Sequence, residues 1–177
     1  MEKQMDRQSG FTLLELMVII AIIAILSAIA IPNGIAWISN SRVNSAARDI
    51  VSMLQRAKIE AVRQNAFAVV QFDASGNYIA FLDNGAGTVD SEPNGIPDGA
   101  ANWVQDGIEP TIINGQLPVG VSIIGNPFNV LMPTLTGMNN RFDSRAMPSI
   151  SGNTSLTNSR GHTVVVSLNT GGNIQTQ

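Results

Sequence analysis

The sequence has no cysteine, a single histidine and a single tyrosine, and Lys, Arg, Asp and Glu make up only 13% of its 177 residues. The missing cysteine excludes a disulfide framework, a thiolate nucleophile and Cys-based zinc or iron–sulfur sites. It also leaves the redox compartment unread. The lone histidine, His162, follows Gly161 at the head of a predicted strand. A catalytic triad would need an activated nucleophile and an orienting carboxylate beside it, and the neighbouring sequence offers neither. No glycine loop of the Walker or dinucleotide type is present. No catalytic residue is therefore assigned, no cofactor is expected and enzymatic activity is not anticipated. Net charge is −3, which gives little general attraction to nucleic acid or anionic lipid.

Soluble domains are roughly a quarter charged, so the low charge needs a source. One source is an apolar block near the start; the other is a remainder rich in Gly, Asn, Ser and Thr. Residues 1–10, MEKQMDRQSG, are polar and end in glycine. From Phe11 to Ile31 only Thr12, Glu15 and Ser27 interrupt the apolar run. As a helix the run is about 32 Å long, which matches the ~30 Å hydrocarbon core of a bilayer. It lacks the polar face a soluble helix would carry. Glu15 is the anomaly, since a carboxylate in such a span costs about 2.5–3.5 kcal/mol on insertion. Either it reaches the headgroup region from its place near the start of the run, or it has a cationic partner.

Three readings compete for this segment. A secretory signal peptide would use Lys3 and Arg7 before the run, and Ala28-Ile29-Ala30 as a small-x-small cleavage site. Against it stand the length of the run, the Glu inside it, and Glu2 and Asp6 in the leader. A plain single-pass anchor explains the length but not the string Gly10-Phe11-Thr12-Leu13-Leu14-Glu15. That string, set between a short polar leader and a membrane-length run, resembles the class III signal of type IV prepilins and pseudopilins. The resemblance implies that a prepilin peptidase cuts after Gly10 on the cytoplasmic side and methylates the new amino terminus at Phe11. It also implies that Glu15 pairs with the amino terminus of an adjacent subunit. Two charges that are each costly in a low-dielectric core then neutralise one another, so Glu15 would set the assembly register. Ile, Leu and Ala would pack among the helices of a filament core.

Pro32 follows Ile31 directly and Gly34 comes soon after, so a kink or local unwinding is expected over residues 28–34. Helical periodicity then returns. Val43, Ala46, Ala47, Ile50, Leu54, Ala57 and Ala61 follow the i, i+3, i+4, i+7 rule. Arg48, Asp49, Ser52, Gln55, Arg56, Glu60 and Arg63 lie opposite them. This stripe predicts an amphipathic helix docked on a sheet.

From Ala66 onward the pattern is β-like. Residues 66–73 and 78–82 flank a turn at Ala74-Ser75-Gly76-Asn77 and predict a hairpin. Further strands are expected at 111–114, 119–124, 128–132, 140–143 and 162–169, with a short final one at 172–176. A long helix followed by a run of strands predicts an α+β fold with antiparallel pairing. The stretch ARDIVSMLQRAKIEAVRQNAFAVVQFD (47–73) and the end GHTVVVSLNTGGNIQT (161–176) are similar to the GspH/FimT-type minor pseudopilins. The expected organisation is a leader at 1–10, a transmembrane and filament-core helix at 11–31, an amphipathic helix at 32–63, and a β-rich domain at 64–177. That domain carries an acidic loop at 83–110.

Residues 64–140 contain no Lys or Arg but hold Asp73, Asp83, Asp90, Glu92, Asp98, Asp106 and Glu109. Residues 83–99 are rich in Gly, Asn, Asp and Pro, which predicts a loop. Asp83, Asp90 and Asp98 are candidate calcium ligands, since calcium takes several oxygens in flexible geometry, although the EF-hand spacing fails. A solvated loop is the preferred reading. The resemblance implies a structural subunit of a type II secretion pseudopilus or a type IV pilus. It would be held in the bacterial inner membrane with its globular part in the periplasm, and then drawn into a filament. Its partners would be other pilin-class subunits, the peptidase, the assembly platform and membrane lipid. The alternatives are a DNA-uptake pilin or a generic anchored domain. DNA binding needs a basic surface, and the β-rich part has only Arg141, Arg145 and Arg160.

Overall fold

A computed structural model describes residues 11–73, 75–83, 103, 105, 109–124 and 138–177. The predicted strand at 128–132 lies outside them. The chain divides into two units, Met1–Ile38 and Ser39–Gln177.

One helix, α1, spans Leu13–Gln64. It runs through Pro32 and Gly34 without interruption, so the local unwinding expected at residues 28–34 is absent. Proline removes one backbone donor and crowds the preceding turn. Long apolar helices tolerate that loss when the surrounding turns keep their bonds. Nothing lies within 4 Å of where a Gly34 side chain would stand. In the second unit the helix buries Val43, Ala46, Ala47, Ile50, Met53, Leu54, Ala57 and Ala61. These are the residues of the predicted stripe together with Met53.

The strands are β1 (Phe67–Phe72), β2 (Asn77–Asp83), β3 (Thr111–Gln116), β4 (Val121–Ile124), β5 (Met138–Phe142), β6 (Gly152–Asn158), β7 (Thr163–Leu168) and β8 (Ile174–Thr176). They form two sheets, β3-β2-β1-β5 and β4-β6-β7-β8, with antiparallel pairing throughout. The α+β expectation is met.

Alternation of side chains along a strand decides what each face meets. Ala68, Val70 and Phe72 of β1, Ala80 and Leu82 of β2 and Phe142 of β5 join the core cluster with the helix stripe. From the second sheet, Leu156, Val166 and Leu168 join the same cluster. The other face of the first sheet carries Val69 and Phe81, paired across strands and fully buried as well. Trp103 lies near that face. Tyr78 and Gly115 are register partners, and a Cβ on Gly115 would come within 2.4 Å of the Tyr78 ring. Glycine at 115 thus leaves space for the aromatic ring above it.

Strand β6 was not expected. Its sequence GNTSLTN has one apolar residue, yet Thr154, Leu156 and Asn158 alternate as its buried face. It sits between β4 and β7. Asn158 repays its burial with hydrogen bonds: its Oδ1 accepts the Arg160 and His162 N–H groups at 3.0 and 3.1 Å. Its Nδ2 donates to Asn40 Oδ1 at 2.9 Å, tying the β6–β7 turn to the helix.

Candidate functional site

The first turn of α1 is built around Thr12 and Glu15. Thr12 Oγ1 accepts the Glu15 backbone N–H at 3.2 Å, and Thr12 O accepts the Leu16 N–H at 3.2 Å. Thr12 is therefore the N-cap and Glu15 the third helical residue, half of a capping box. This role for Thr12 was readable in the T-x-x-E spacing but was not drawn from it. Glu15 is the acidic residue of the first turn, where the helix dipole favours a negative charge by about 0.3–1 kcal/mol. That local gain is smaller than the ~2.5–3.5 kcal/mol insertion cost, so capping alone does not explain a carboxylate here. Gly10 lies outside the described residues. Phe11 is 78% exposed.

Every large apolar side chain from Phe11 to Ile38 is exposed. The helix is long and apolar enough to cross a membrane. Single exposed apolar residues are ordinary, but a contiguous surface of this extent marks an interaction site or a lipid contact.

The second unit places the remaining candidates apart. Asp83, expected as a loop ligand for calcium, is instead the last residue of β2 and is 1% exposed. Its Oδ2 accepts the Trp103 N–H at 2.8 Å. Asp90 and Asp98 lie outside the described residues. Among the described residues no three His, Asp or Glu side chains are grouped to hold a metal. Trp103 is also fixed by its carbonyl, which accepts Gln71 Nε2 at 2.6 Å. The segment read as a solvated loop therefore contributes at least one buried anchor.

Arg141 stacks on two rings, its Cζ 4.0 Å from the Phe67 centroid and 4.5 Å from that of Trp103. Burial draws its guanidinium below the ordinary arginine value, against the pull of Asp83 and Asp143. Arg145 is paired with Asp143 at 2.8 Å. Of the three arginines counted for a basic surface, Arg141 is thus half-buried, and Arg145 is exposed but paired with Asp143. His162 Nε2 lies 3.4 Å from Asn44 Oδ1, in a contact between helix and β-turn.

A helix that opens on this capped acid, displays an apolar surface and then docks on two antiparallel sheets defines a pilin-class structural subunit. Residues 5–31 match the prokaryotic N-terminal methylation motif, and residues 46–172 match the type II transport protein GspH. The chain belongs to the GspH family of minor pseudopilins and minor pilins. It is 30% identical to the pilin-like protein PilA1 of Thermus thermophilus, over 71% of this chain and 83% of that one. It is 29% identical to the type II secretion system core protein G of Pseudomonas aeruginosa, over 76% and 80% of the two chains. Its fold resembles that of the minor pseudopilin EpsH from the type 2 secretion system of Vibrio cholerae. That likeness has a TM-score of 0.50 at 10% identity and covers 77% of this chain and 96% of the other.

Proposed function

We propose that the chain is a precursor cleaved after Gly10, methylated at Phe11, and assembled as a non-catalytic minor subunit of a secretion pseudopilus or pilus. The observation that carries this reading is the exposed apolar surface from Phe11 to Ile38, most of which lies within the methylation motif matched at residues 5–31. Before assembly, the inner membrane covers that surface, with Ser39–Gln177 on the periplasmic side. After assembly, the helices of neighbouring subunits cover it, drawn in by packing rather than by the hydrophobic effect. Glu15 sets the register by pairing with the methylated amine of the next subunit, since a charge pair in an apolar interior is tolerable only when its geometry is met. The partners are other pilin-class subunits, the peptidase, the assembly platform and lipid. No cofactor takes part in this role. Calcium at Asp83, Asp90 and Asp98 is the competing expectation, and a calcium-dependent rise in the melting temperature of the full chain would favour it.

Mass spectrometry of the mature amino terminus tests the reading. An N-methylated Phe11 is expected. A start at Ile31, or an intact Met1 in cells that hold the peptidase, would refute it.

A further inference from the structure

The exposed apolar surface is longer than the apolar run read from the sequence. Its ends, Phe11 and Ile38, are about 41 Å apart along the helix at 1.5 Å per residue. That exceeds the ~30 Å hydrocarbon core and matches the ~40–45 Å of a bilayer with its headgroups. Two depths in the membrane therefore compete. In one, the hydrocarbon core holds residues 11–31, the expected span. In the other, the core holds a stretch several residues further along the helix.

Glu15 and Trp37 decide between them. Glu15 is the only charged residue between Phe11 and Arg42. With the core at 11–31 its carboxylate would sit about 6 Å inside hydrocarbon. Exposed Trp37 would stand about 9 Å beyond the core, outside an interfacial zone only about 5–8 Å deep. With the core further along, both reach a boundary at once. They are about 33 Å apart along the helix, or about 31 Å across the membrane at an ordinary tilt of about 20°. Leu16–Ala36 between them holds no charge. This depth brings Pro32, Asn33 and Gly34 into the core. The helix runs through them unbroken, so it keeps its backbone groups paired, as hydrocarbon demands. Asn33 lies about 6 Å inside the boundary, and a neutral amide costs less there than a carboxylate does.

We infer that Trp37 is an interfacial anchor: before assembly it seats among phospholipid headgroups of the periplasmic leaflet, and the hydrocarbon core holds Leu16–Ala36 rather than residues 11–31. The inference rests on the membrane-held precursor reading and adds the depth at which the chain waits. The indole ring packs on the upper acyl carbons, and its N–H donates to lipid carbonyl or phosphate oxygens. At this depth Phe11 stands about 6 Å outside the core, so the bond to be cut lies at the cytoplasmic surface. Glu15 keeps its hydration there and meets the apolar interior only when assembly supplies a neighbour's amine.

The test uses the full chain in spheroplasts of cells that hold the peptidase but no assembly platform, so that no filament covers the helix. The sequence has no cysteine, so Ile35→Cys and Gln55→Cys each offer one thiol to a membrane-impermeant maleimide. Both side chains are exposed, and the melting temperature in detergent checks that neither change unfolds the chain. Gln55→Cys should react freely. Ile35→Cys should react about tenfold more slowly, equivalent to about 1.4 kcal/mol. Adding Trp37→Ala should raise its labelling roughly threefold, because only Glu15 then opposes withdrawal of Asn33 from the core, whereas Trp37→Tyr keeps an interfacial ring and should not. Equal labelling of Ile35→Cys and Gln55→Cys puts the core at residues 11–31, which overturns the inference and leaves the membrane reading intact. Slow labelling of Ile35→Cys that Trp37→Ala does not change overturns the anchor and the inference with it. A chain that alkaline carbonate strips from the membrane, or a Gln55→Cys chain that reacts only after lysis, overturns both readings.

Discussion

The two halves of α1 share a backbone and differ in what their side chains meet. From Phe11 to Ile38 every large apolar side chain is exposed; from Val43 to Ala61 an apolar stripe is buried against both sheets. A helix that is apolar all round belongs in a membrane or a bundle, and one with a single apolar stripe belongs on a surface. Among the described residues the first half therefore has no partners that cover its apolar side chains, while the second half has its own. It follows that substitutions in the two halves should register in different assays.

The largest effect is expected at Glu15. Glu15→Gln keeps a residue that serves the capping box but removes the charge. Insertion should be unchanged or improved. Incorporation into filaments should fall roughly a hundredfold, because removing one partner of a buried pair costs about 3 kcal/mol or more. Counting wild-type and variant chains in sheared filaments from a co-expressing strain measures this. Equal incorporation would remove the register role and leave only the cap that Thr12 and Glu15 form.

Next comes a matched pair in the two halves. Leu54→Ala opens a cavity under a fully buried side chain and should cost about 2–5 kcal/mol. Ile23→Ala, at a side chain 56% exposed, should leave unfolding of the second unit within about 0.5 kcal/mol of wild type. Denaturant melts of the full chain in detergent compare the two. A large loss at Ile23 would mean that the first half is held by the rest of the chain after all.

Trp103→Ala should follow at about 2–3 kcal/mol. It removes a buried indole and its cation–π contact with Arg141, although Arg141 recovers some hydration. The measurement is the same melt followed by circular dichroism, because the variant keeps only Trp37, which is 72% exposed.

These residues also show what the sequence made legible. The helix stripe and the β1–β2 hairpin were readable because apolar residues recur at the helical period and then cluster in β-branched and aromatic runs. Glu15 stood out because a carboxylate is anomalous in an apolar span. Strand β6 was hidden because two of its three inward positions, Thr154 and Asn158, are polar and only Leu156 is apolar, and Asn158 is held by a partner far off in the chain, Asn40. Trp103 was hidden by its setting among Gly, Asn and Asp, and its anchors, Gln71 and Asp83, belong to other elements. Arg141 looked like surface charge because nothing local to it reveals two aromatic rings. Periodicity reports the face a residue occupies; pairwise partners that fold together from a distance leave no such trace.

The smallest effect expected is a dependence on acid, confined to the second unit. Asp143 sits at the end of β5, where burial alone would raise its pKa. Donation from the Met147 and Arg145 N–H groups and from the Arg145 side chain outweighs burial and holds it below the ordinary carboxylate value. Asp73 is held low by the Asn77 side chain and backbone. A carboxyl with a depressed folded pKa stabilises the fold above its unfolded value, near about 3.9. That contribution fades as pH falls through the folded value, because the unfolded chain takes up the proton first. Asp143→Asn should therefore lower the melting temperature by only about 1–2 °C at neutral pH, and the gap from wild type should close between about pH 5 and about pH 2. A gap that stayed constant across that range would show that Asp143 acts through the shape of its turn rather than its charge.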